Sequence, residues 1–134
     1  MKAVVHVDGG ARGNPGPAAI GVVVEDSDGN VLYAGGETIG VATNNVAEYR
    51  ALIAGLKHAR EVGATEVEVL GDSALVVNQV NGTWRIKEPH LRPLADEAAR
   101  ALREFERATL RHVRREKNAD ADALVNQALD AAAY

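Results

Sequence analysis

Apolar positions along this chain fall into short blocks whose period changes several times, with glycine, proline and asparagine between them. Residues 2–8 read as a buried strand and IGVVVE (20–25) as a second. Ser27, Asp28, Gly29 and Asn30 give a hairpin signal, because an Asp-Gly pair tolerates positive φ, so VLYAGGETI (31–39) returns as a third strand. The intervening GGARGNPGP is predicted to be a turn-rich loop whose glycines let backbone approach a neighbour closely. From Asn44 to Val62 the period becomes helical, with Val46, Tyr49, Ile53 and Leu56 on one face and Gly63 at the stop.

TEVEVLGD then alternates as a fourth strand, SALVVNQVNG reads as a short helix, and EPHLRPLADEAARALREFERA as a longer one entered through prolines. ATLRHV supplies a fifth strand. A last helix starts near Asn118, whose side chain is placed to cap its first turn. The order predicts an α/β fold: a five-stranded mixed sheet, three antiparallel strands followed by parallel crossovers, flanked by helices. No linker or repeat divides it, so residues 1–134 are expected to form a single domain.

Composition narrows the function classes. The chain has no cysteine, which excludes disulfides and thiolate metal sites. It shows neither a signal-peptide pattern nor a long apolar run, so a cytoplasmic protein with no membrane association is expected. The formal net charge of −4 argues against a uniformly basic nucleic-acid binder. Arg100, Arg103, Arg107, Arg111, Arg114, Arg115 and Lys117 nevertheless concentrate positive charge in one stretch.

Four acidic settings stand out: Asp8 in VVHVDGG, Glu48 in NNVAEYR, Asp72 in VLGDSAL, and the Asp120/Asp122 pair in NADADAL. Each lies among apolar neighbours, where a carboxylate costs stability unless something pairs with it. Asp8 and Asp72 both end predicted strands, and adjacent strands would make them neighbours. Glu48 borders the sheet-packed face of its helix. Periodicity does not choose between Asp120 and Asp122, which flank the apolar stripe from opposite sides. A hard divalent cation is the simplest partner for such a set, and it points toward phosphoryl-transfer chemistry. Other patterns fall away: the glycine-rich segment lacks the Lys-Ser/Thr of a phosphate loop, EDSDGN misplaces the EF-hand glycine, and His6, His58 and His90 are scattered.

DGGARGNPGPAAIG, TNNVAEYRALIAGL, GDSALVVNQVNGTWRIK and HVRREKNADADALVNQAL, in that order, resemble the type 1 ribonuclease H family of RNA–DNA hybrid endoribonucleases. The resemblance covers essentially the whole chain. It implies that Asp8, Glu48, Asp72 and Asp122 are catalytic metal-binding carboxylates, with Asn118 setting the register that selects Asp122. It implies a two-metal Mg²⁺ mechanism, with Mn²⁺ an admissible substitute, that cuts the RNA strand of a hybrid and leaves 5′-phosphate and 3′-hydroxyl ends. Asn14, Asn45 and the backbone at Gly9 and Gly10 would contact the hybrid, with Asn44 part of the same polar set. Thr43 and Asn14 would face DNA phosphates, and Trp84 would pack on DNA sugars, unless Trp84 is core or Asn44 and Asn45 simply cap the helix. A monomer without small-molecule cofactor is expected.

Departures from the family pattern are equally specific. Many members carry a mobile His before the last helix, whereas this chain has Arg114-Arg115-Glu116-Lys117; Arg115 is the natural substitute, able to hold phosphate but not to act as a base. Ala74 replaces an RNA-contacting Gln, and the basic helical protrusion of some bacterial members is missing. Rival readings are a nuclease of the same fold acting on double-stranded RNA or DNA junctions, and a non-catalytic hybrid-binding module.

Overall fold

The computed structural model describes residues 1–132. Five strands, β1 (Lys2–Ala11), β2 (Gly16–Asp26), β3 (Val31–Ala42), β4 (Glu66–Gly71) and β5 (Arg107–His112), form one sheet in the order β3-β2-β1-β4-β5. β1, β2 and β3 are antiparallel, while β4 runs parallel to β1 and β5 parallel to β4. Four α-helices complete it: α1 (Asn44–Glu61), α2 (Ala74–Val80), α3 (Arg92–Arg103) and α4 (Ala119–Ala132). The predicted mixed five-stranded architecture is the one observed. Among the described residues no helix is long and apolar enough to cross a membrane.

The β2–β3 turn forms as expected, with Gly29 at φ 84° and the Asp26 carboxylate accepting from the N–H groups of Asp28 and Asn30, both at 2.9 Å. The predicted glycine-rich loop is much shorter than the sequence suggests. β1 continues through Gly9, Gly10 and Ala11, which pair with Ile20, Ala19 and Ala18, and only residues 12–15 connect the strands. The reason is a close approach: a Cβ on Gly9 would lie 2.2 Å from the Ala47 carbonyl oxygen of α1. Glycine there marks tight packing of strand on helix rather than a turn.

The helix expected to run to residue 108 also stops early. α3 ends at Arg103, Phe105 is buried beyond it, and the Glu106 N–H donates to Thr65 at 2.9 Å as pairing of β5 with β4 begins. Two capping expectations change as well. Thr43, not Asn44 or Asn45, caps α1, its hydroxyl accepting from the Val46 N–H at 3.2 Å. The Asn118 amide leaves α4 altogether and donates to the Val7 carbonyl at 2.8 Å.

Side-chain alternation divides the interior into two layers. Ile20, Val22 and Val24 join Val5, Val69, Leu52 and Leu56 in the main core beneath α1. Ala19 faces the other way and packs with Val125 and Leu129 of α4. Tyr49 is completely buried in the main core, its hydroxyl donating to Gln79 Oε1 at 2.7 Å, which ties α1 to α2.

Candidate metal centre

Parallel pairing of β1 with β4 sets Val7 opposite Gly71, where β4 ends while β1 runs on to Ala11, so Asp8, inside its strand rather than at its end as expected, lies next to Asp72, which follows β4. Helix α1 crosses the same end of the sheet and brings Glu48 down onto it. Carboxylate oxygens of Asp8, Glu48 and Asp72 lie within 4.8 Å of one another. Glu48 is fixed there by the Gly9 N–H, which donates to its Oε1 at 2.6 Å. The glycine that admits the helix thus also orients the carboxylate.

Asp122 stands outside that three-residue group but lines the cleft beside Asp8, and its negative charge helps raise the Asp8 pKa. Asp120 is exposed and faces a different hollow, with His6 and Glu25. The ambiguity left by periodicity is therefore resolved by the rotation of α4 on the sheet.

Burial and the crowding of like charges both disfavour the ionised carboxylates. Burial, then the charges of Asp72 and Asp122, push Asp8 up from 3.8 to about 8. Burial, then Asp8 and Asp72, push Glu48 up to about 9, against the lowering effect of the Gly9 hydrogen bond. Such a site holds more anionic groups than it can ionise alone, and hard oxygen donors in this number suit a divalent cation.

The other predicted residues divide by location. Arg115 sits in the short turn before α4, with its Nε 3.9 Å from an Asp72 carboxylate oxygen. Asn14 and Asn44 form a relay: Asn44 Oδ1 accepts from the Ala11 N–H at 2.9 Å, and Asn14 Oδ1 accepts from the Asn44 N–H at 3.0 Å. Gly10 lines the cleft, but the Gly9 N–H is committed to Glu48 and is not free to read a substrate. Asn45 is half-buried in the first turn of α1. Trp84 is 50% exposed, which rules out core burial, and it lies in a separate hollow with Arg85 and Lys87. A hollow of about 650 Å³ between α1 and α3 contains none of the predicted residues.

A family model described as "Reverse transcriptase-like" matches residues 6–128. The crystal structure of RNase H1 from the halophilic archaeon Halobacterium salinarum superposes with a TM-score of 0.96 at 46% identity, covering 98% of this chain and 99% of that one. The chain belongs to the type 1 ribonuclease H family. A second ribonuclease H1 structure, LC11-RNase H1 in complex with an RNA/DNA hybrid, matches with a TM-score of 0.91 and 46% identity over 97% of this chain and 98% of that chain. The "Bifunctional protein Rv2228c" of Mycobacterium tuberculosis is 52% identical over 134 residues, 99% of this chain. The chain spans 37% of that protein's length and 63% of a Halobacterium salinarum ribonuclease HI.

Two polar cleft residues escaped the sequence reading. Arg12 and Asn126 line the same space as Asp8 and Asp122, and the Asn126 amide donates to the Asp122 carbonyl at 3.2 Å and its carboxylate at 3.4 Å. The i to i+4 spacing of Asp122 and Asn126 is the signal that carried this contact.

Proposed function

We propose that this chain hydrolyses the RNA strand of RNA–DNA hybrids in a reaction that requires Mg²⁺, two ions being held by Asp8, Glu48, Asp72 and Asp122. The observation that carries the reading is the convergence of Asp8, Glu48 and Asp72 oxygens within 4.8 Å, with Asp122 on the same cleft. Membership in the ribonuclease H family supports it, as does a hybrid-bound relative of the same fold. When bound, divalent cations supply Lewis-acid activation of water and charge neutralisation at the phosphate.

The chain's own groups have separable tasks. Asp8 holds position because it lies inside β1, and Asp72 because it directly follows the adjacent β4, while Glu48 is anchored by the Gly9 N–H. Arg115, permanently charged and already beside Asp72, holds a phosphate oxygen at the reacting centre and takes no part in proton abstraction. Asn14 and Asn44 fix the β1–β2 connection against α1, presenting small polar groups to the sugar-phosphate edge, where a 2′-hydroxyl distinguishes RNA from DNA. Trp84 offers an exposed aromatic face to the DNA strand. Residues 1–134 act in this reading as one cytoplasmic catalytic domain, monomeric and without a small-molecule cofactor.

A labelled hybrid incubated with Mg²⁺ or with chelator tests the activity, alongside double-stranded RNA and double-stranded DNA of the same sequence. Metal-dependent loss of the RNA strand in the hybrid alone is expected. Asp72→Asn should abolish cleavage while hybrid binding persists; cleavage that survives the substitution would refute the assignment.

A further inference from the structure

Among the described residues, the cleft beside the carboxylates, about 340 Å³, is lined by two cationic side chains, Arg115 and Arg12. Arg115 faces Asp72 and is accounted for by the proposed reaction. Arg12 is not. It opens the four-residue connection between β1 and β2, whose backbone is tied on both sides. The Arg12 N–H donates to the Pro17 carbonyl at 2.8 Å, and the Ala11 N–H to Asn44 at 2.9 Å. The backbone is therefore anchored while the side chain reaches across to α4.

There its guanidinium pairs with the Asp130 carboxylate at 2.6 Å and donates to the Asn126 carbonyl at 3.5 Å. Both members of the ion pair are open to solvent, 45% and 68% exposed, and pairs this exposed contribute little to stability. A phosphate diester can take the place of Asp130 at small cost, and a guanidinium fork matches phosphate oxygens well. Asp130 lies two helical turns beyond Asp122, about 12 Å along the axis. An arginine parked there stands away from the reacting phosphorus and within reach of a neighbouring link of the same backbone.

We propose that Arg12 binds a hybrid backbone phosphate flanking the scissile one, with Asp130 as its placeholder counter-ion in the free protein. This rests on the proposed hybrid-cleaving function. The role is substrate binding, separate from the chemical step.

The test measures steady-state cleavage of a labelled hybrid by the parent chain, Arg12→Ala, Arg12→Lys and Asp130→Ala, each checked for an unchanged thermal melt. Binding of uncut hybrid is followed against salt in the Asp72→Asn background. Arg12→Ala should raise KM about tenfold with kcat within about twofold of the parent, and should reduce the salt slope of binding by about one. Arg12→Lys should recover part of the loss, and Asp130→Ala should leave KM equal to the parent or lower it. Unchanged KM and slope in Arg12→Ala would overturn the inference, as would a KM rise of the same size in Asp130→Ala, which would mark the ion pair as structural. A parent chain that cuts no hybrid sinks the proposed function instead; a cutting parent indistinguishable from Arg12→Ala sinks only this assignment.

Discussion

Replacing Asp8 by Asn should stabilise the metal-free protein while destroying its activity. Asp8 is only 5% exposed, and burial together with the charges of Asp72 and Asp122 raises its pKa from 3.8 to about 8. Between those two values the folded state holds a proton that the unfolded state has released. Its stabilising contribution is thus complete below pH 3.8 and is lost as pH rises toward 8. At about 1.4 kcal/mol per pH unit, the loss between the ordinary value and pH 7 is bounded by about 4 kcal/mol. Solvent entering the open cleft reduces this to about 1–2 kcal/mol. An amide carries no charge and escapes the penalty. In chelator at pH 7, Asp8→Asn should therefore melt about 3–8 °C above the parent, and the difference should vanish near pH 4. Adding Mg²⁺ should raise the parent's melting temperature and leave the variant's unchanged, because only the parent retains the full set of proposed ligands. Circular dichroism melts across pH, with and without Mg²⁺, make the measurement. A variant no more stable than the parent at pH 7, or a gain that is the same at every pH, would refute the view that like charges crowd this site.

Two further substitutions probe how the site is held. Gly9→Ala drives a methyl group into the Ala47 carbonyl, which it would approach to 2.2 Å, so α1 must shift away from β1. A loss of about 1–3 kcal/mol in urea unfolding and a matching collapse of cleavage are expected, because Glu48 moves with the helix. Tyr49→Phe removes the donor to the buried Gln79 side chain, and about 1–2 kcal/mol of stability should be lost while KM for hybrid stays unchanged.

Much of the architecture was legible because local signals agreed with the tertiary outcome. The Asp-Gly hairpin, the switch from strand to helical period at Asn44 and the stop at Gly63, where φ is 90°, all appear as read. Errors gathered where a distant contact overrules a local preference. Gly9 and Gly10 look like turn residues, yet they continue β1 because α1 presses on that strand end. Phe105 looks helical, yet the pairing of β5 with β4 claims the chain just after it. Asn118 looks like a cap, yet its amide goes to Val7, 111 residues earlier.

By itself the amino-acid order settled the kind of elements, their succession and the acidic residues worth watching, since period, turn chemistry and the cost of an unpaired carboxylate are properties of neighbouring residues. Only the folded chain decided how those elements are rotated against one another. That rotation sends Asp122 to the cleft and Asp120 to another surface, lays Glu48 on the Gly9 N–H and brings α4 within reach of Arg12. A helix carries its stripe along one dimension, but the angle at which that stripe meets a sheet is set by packing against residues far away in the chain.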